Sequence, residues 1–94
     1  MIFSPFVEKD TKLLNLKIYI EKSKYRTKIM KTIDSETKTP TQIAKESGIR
    51  IGHVSDVLRK LKTKNLVECI NEEVRKGRLY QLTEKGLEVR NVLR

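Results

Sequence analysis

From Ile51 to Leu61 the apolar residues Ile51, Val54, Val57, Leu58 and Leu61 recur at three- and four-residue steps, the period of one buried helix face. A shorter helix precedes it. Thr39 is placed to accept from the Gln42 amide, Gln42 to reach back to Thr39, and Pro40 occupies a first helical position that needs no N–H. Ile43 and Ala44 then face inward, and Gly48 follows where a left-handed residue closes the last turn. This helix spans about two turns. Beyond Lys64, Asn65 can adopt the same left-handed conformation and end the longer helix. Leu66–Ile70 and Arg78–Leu82 read as two antiparallel strands, and residues 71–77 between them are too many for a two-residue turn and form a loop.

The flanks carry weaker patterns. Ser23 caps an expected helix whose apolar face is Tyr25, Ile29, Met30 and Ile33. Thr83 caps a final one running toward Leu93, with Leu87, Val89, Val92 and Leu93 as apolar positions and Gly86 as a local cost in its first turn. Upstream, Leu14, Leu16, Ile18 and Ile20 alternate like a strand, whereas Leu13, Leu14 and Ile18 share a helix face. Phe3, Pro5 and Phe6 form a short apolar arm before them. The expected organisation is an N-terminal arm and helix over 1–22, serving packing or dimerisation, and a domain over 23–94.

Charge changes the picture. The 94 residues carry 21 cations against 12 anions, a net charge of +9. Arg50 to Arg78 holds eight cations and four anions, and Met1 to Lys38 holds nine and five, a surplus of +4 in each. Such a chain is drawn to polyanions by counterion release whatever its specificity. The outer face of the longer helix carries His53, Asp56, Arg59, Lys60 and Lys62, with Arg50 at its entry. Base edges offer hydrogen-bonding groups and phosphates offer charge, so such a face suits a major groove; a solvated helix face is the alternative. Arg75, Lys76 and Arg78 place three cations on the far side of the inter-strand loop, suited to a phosphate or a narrow minor groove, while Glu72 and Glu73 oppose them on the near side. Lys22, Lys24, Arg26, Lys28 and Lys31 crowd the first core helix without an intervening acid.

Helix, tight turn, helix and hairpin in this order resemble a winged helix-turn-helix, a mainly α fold with a small β-hairpin wing (α+β). The segments TPTQIAKESGIRIGHVSDVLRKLKTKNLVECI and KGRLYQLTEKG resemble the archaeal branch of the winged-helix transcription regulators, similar to the MarR and ArsR families. The resemblance implies that the helix near Arg50 is the recognition helix and that KGRLYQLT is the returning wing strand. By position it brings Arg50, Ile51, Gly52, His53, Ser55, Asp56 and Arg59 nearest base edges. It also favours a helix, not a strand, over Leu13 to Ile20. Asp56 repels phosphate but can accept from a cytosine amino group. With Thr39, Thr41 and Gln42 at the start of the first helix, Lys60 and Lys62 on the second, and Arg75, Lys76 and Arg78 in the wing, these complete the candidate DNA-contact set. The partner implied is double-stranded DNA, bound by a homodimer whose N- and C-terminal helices pack across a two-fold axis, since surplus apolar positions lie at both ends of a chain only 37% apolar.

Other chemistries find no residues. The single histidine lies on the recognition helix, and there is no Gly-rich phosphate loop, zinc motif or nucleophile elbow, so no enzyme, metal or cofactor is expected. Lone Cys69, in a strand, reads as a small buried hydrophobe ahead of a redox sensor. No segment approaches a membrane span and no secretory pattern opens the chain, so a cytoplasmic location is expected. The rival function is a winged helix serving as a protein-interaction module in transcription or replication machinery, which would place apolar groups where Arg50, His53, Arg59, Arg75, Lys76 and Arg78 stand.

Overall fold

The computed structural model describes residues 5–94, with side chains from residue 11 onward. Its elements are α1 (Pro5–Glu21), α2 (Lys24–Ile33), α3 (Pro40–Ser47), α4 (Ile51–Thr63), β1 (Val67–Cys69), β2 (Tyr80–Leu82) and α5 (Glu84–Val92). Phe3 and the side chains of Pro5 and Phe6, read as an apolar arm, lie outside the described residues.

Local chemistry places the helix ends. Ser23 Oγ accepts from the Arg26 amide at 3.2 Å to start α2. Thr39 and Gln42 form the reciprocal capping box of α3, with bonds of 3.1 and 2.9 Å, a device whose removal typically costs about 1 kcal/mol. Gly48, at φ 74°, closes α3 in the left-handed conformation, and the Ser47 hydroxyl accepts from the Ile49 amide at 3.2 Å to turn the chain into α4. Asn65 takes φ 61° after α4, as expected.

One core holds these elements together. Ile29, Met30 and Ile33 of α2 meet Ile43 of α3, Ile49 of the turn, and Val54, Val57, Leu58 and Leu61 of α4, with Leu66, Val67 and Leu82 from the hairpin and Val89 from α5. The stretch with mixed periodicity is helical, because its apolar residues serve two faces: Ile20 is fully buried and Leu13 and Leu16 pack on the core, while Leu14 and Ile18 are 52% and 43% exposed. Arg26 and Thr27 of α2 donate to the carbonyls of Tyr19 and Ile20 at 2.8 and 3.1 Å, satisfying the end of α1. The Arg26 guanidinium also lies 4.0 Å from the centre of the Tyr19 ring. It is thereby engaged in holding α1 to α2.

Several boundaries and burials differ from expectation. Each strand is three residues long, in the register Val67 with Leu82, Glu68 with Gln81 and Cys69 with Tyr80. Beyond Tyr80 the Ile70 amide still donates to the Leu79 carbonyl at 3.0 Å, but the pairing is not reciprocated, because the Leu79 amide turns to the Asn71 Oδ1 at 2.8 Å and the Arg78 side chain turns into the loop. Tyr25 and Ile51, assigned above to buried stripes, are 45% and 49% exposed; both sit at the edge of their apolar stripe. Leu87 and Val92 also reach solvent, which leaves Val89 to anchor α5.

The reverse case is Lys38. It is 9% exposed, and its Nζ donates to the Thr32 carbonyl at 2.7 Å and to Glu46 at 2.6 Å, with Glu36 at 3.2 Å. Its bonded carboxylate, Glu46 first, raises the ammonium pKa. Lys38 and Tyr80 exchange two backbone bonds, 2.9 and 2.8 Å, so the segment before α3 flanks β2 as a one-residue third strand. Helix-turn-helix and hairpin are joined there.

Candidate nucleic-acid interface

The first turn of α3, the first turns of α4 and the loop between the strands enclose an open cleft of about 510 Å³. Thr39, Pro40 and Thr41 at the start of α3, Ile51 and Ser55 of α4, and Arg75 to Arg78 of the loop line it. Thr41 is exposed, whereas the Thr39 hydroxyl and the Gln42 side chain are held by the capping box. Of the expected contact residues, α4 therefore divides into two groups: Ile51 and Ser55 look toward the hairpin loop, and Arg59 and Lys60 lie further along the helix.

Those later cations share one acid. Asp56 stands 3.2 Å from Lys60 and 3.6 Å from Arg59, one helical turn away in each case. Exposed pairs of this kind contribute only about 0.3–0.5 kcal/mol. A phosphate that approaches can recruit either cation at little cost. Arg50 opens α4 without a side-chain cap bond, Gly52 has open space where a Cβ would stand, and both are exposed. His53 is exposed and its ring lies 5.1 Å from that of Tyr25, tilted by 54°. Tyr25 is the residue sequence reasoning missed: its apolar character and helical spacing assigned it to the core, and only the crossing of α2 and α4 brings it against His53.

Polar side chains shape the loop. Asn71 accepts from the Leu79 amide and donates its Nδ2 to the Gly77 carbonyl at 3.2 Å, and the Cys69 thiol, half-buried, lies 3.5 Å from the same Asn71 Oδ1. Gly77 takes φ 75°, the left-handed turn that a side chain would strain. Arg78, expected at the tip, is folded inward, with Nε donating to Val74 O at 2.7 Å and Nη2 to Glu72 O at 3.2 Å. Arg75 and Lys76 remain as exposed cations of the tip. Lys62 is paired with Glu72, so it straps α4 to the base of the loop.

That pairing holds the Glu72 carboxyl below the usual carboxylate range and raises Lys62. A lowered acid contributes above its unfolded pKa and is lost as pH falls through the folded value, so the strap persists at neutrality and releases in acid below pH 4.5. Glu72→Gln frees Lys62 and removes an anion beside the wing. If the cleft takes duplex DNA, the substitution should tighten binding to any duplex by roughly a few-fold. Anisotropy titrations on unrelated sequences check this, and unchanged or weaker binding would count against it.

Among the described residues, no group of three or more His, Cys, Asp or Glu side chains is gathered for a metal ion, and no helix is long and apolar enough to cross a membrane. No curated protein and no solved structure gives a significant match to the chain. A family model described as winged helix-turn-helix matches residues 16–94, the span that holds the core, the cleft and the hairpin, and the chain belongs to the winged helix-turn-helix family.

Proposed function

We propose that this chain is a sequence-specific double-stranded DNA-binding transcriptional regulator of the MarR/ArsR-like kind, with α4 in the major groove and the wing on the backbone or in the minor groove. The observation that carries the reading is the shared cleft: an exposed recognition-helix face and the free cations Arg75 and Lys76 border one opening. Duplex DNA is the polyanion whose groove and phosphates match that pairing of helix and charge. Binding as a homodimer through α1 and α5 is supported by their exposed apolar residues, Leu14, Ile18, Leu87 and Val92. Occupancy of a promoter is the simplest regulatory mechanism such a protein offers, and a cytoplasmic location fits it.

The division of labour is testable. Arg59→Ala or His53→Ala should change which sequences are selected from a random duplex pool, because those side chains face base edges. Two recognition helices spaced about one DNA turn, ~34 Å, should select a palindrome. Identical selections by wild type and both variants would contradict the assignment, and a sedimenting monomer at high micromolar concentration would remove the dimer. Failure of the folded protein to bind duplex at low salt would favour the protein-interaction module.

A further inference from the structure

Ile51 opens α4 with 49% of its surface exposed, while Val54, Val57, Leu58 and Leu61 of the same helix are buried. It lines the cleft together with Ser55, Arg75 and Lys76. One exposed isoleucine is too small an apolar patch to hold a protein partner by itself, whereas the cations that line the same cleft attract a polyanion. The occupant that suits one exposed apolar side chain among cations is anionic at its edges and presents one small apolar group between them. Duplex DNA meets both conditions, because phosphates flank a major groove whose characteristic apolar projection is the thymine C5-methyl. Next to Ile51, the exposed Gly52 leaves the backbone of α4 bare, with no atom near the place of a Cβ, so the first turn can come close to a base edge.

We infer that Ile51 reads a 5-methylpyrimidine, thymine in ordinary DNA, by seating its side chain against the ring methyl. The assignment rests on the duplex-binding reading above and adds a chemical identity at one base position. Ile51 thereby prefers thymine over cytosine, and over uracil, which pairs identically but lacks the methyl group. Its contribution is a contact made without charge. It therefore separates cleanly from the phosphate contacts.

The test begins with a duplex selected by the wild-type chain, in which each thymidine is replaced in turn by deoxyuridine. One replacement in each recognised half should weaken wild-type binding about fourfold, the factor expected for burying one methyl group. Ile51→Val should keep most of that discrimination, whereas Ile51→Ser should bind both duplexes equally, with its salt slope unchanged. Ile51 is exposed at a helix start, so neither substitution threatens the fold. If duplex binding is intact but no replacement weakens it, or if Ile51→Ser keeps the full penalty, the assignment is overturned while the function stands. Absence of duplex binding by the folded chain overturns both.

Discussion

Replacing Gly86 with alanine should unfold this domain at a temperature lower by at least ~10 °C, although alanine is the better helix former by about 1 kcal/mol. A Cβ at position 86 would overlap the carbonyl oxygen of Leu66 and stand 3.1 Å from its carbon and 3.2 Å from the Leu82 Cβ. The Leu66 carbonyl cannot retreat freely, because it accepts from the Thr83 amide at 3.0 Å. Nor can the start of α5, where the Thr83 hydroxyl donates to Asn65 O at 2.7 Å and accepts from the Gly86 amide at 3.0 Å. Overpacking typically costs about 1–3 kcal/mol, with a Cβ driven onto a held backbone carbonyl at the upper end, and in a domain of this size each kcal/mol moves the midpoint by about 4–8 °C. Gly52→Ala supplies the control. Space around Gly52 is open, so the same change there should be neutral or stabilising by up to ~1 kcal/mol. Thermal melts of the two variants decide it, and equal melting temperatures would refute the close-packing account.

The second large effect belongs to the wing. Arg75→Ala with Lys76→Ala removes the two exposed tip cations and leaves in place the Asn71 and Arg78 bonds that shape the loop. Two lost phosphate contacts should flatten the slope of log affinity against log salt by about 1.8 and weaken binding roughly fiftyfold at ~0.1 M salt. The loss should be the same for every duplex. Arg78→Ala should behave differently, since that side chain braces the loop from inside and its removal disorders the tip as well. A salt slope unchanged by the double substitution would show that the wing stays off the backbone.

Much of the fold was legible because its signals are local. Ser23, Thr39 with Gln42, Gly48, Asn65 and Thr83 act on residues within four positions of themselves, and all five stand where capping and turn chemistry puts them. What escaped depends on distant partners. Lys38 is buried because Thr32, Glu46 and Glu36 converge on its ammonium, and no pattern around a lysine announces that. Gly86 reads as a weakness of its own helix, and only the approach of Leu66 shows it to be a requirement. The candidate site divides in the same way. Its cations are countable in the sequence, but Lys62 and Arg78 turn out to be engaged within the protein, while Arg75 and Lys76 are left free. Tyr25 and Ile51 lie at stripe edges, where a helical period cannot distinguish inside from outside.

The paired backbone bonds between Lys38 and Tyr80 have a mechanical effect. They join the stalk of the wing to the chain that leads into α3, so the two sides of the cleft are tied through backbone at that point. An opening whose sides are tied together acts as a caliper. If the cleft takes duplex DNA as proposed, it would favour a duplex whose groove already has the matching width over one that must be bent or squeezed to fit. Base pairs that no side chain reaches can then still influence where the protein settles.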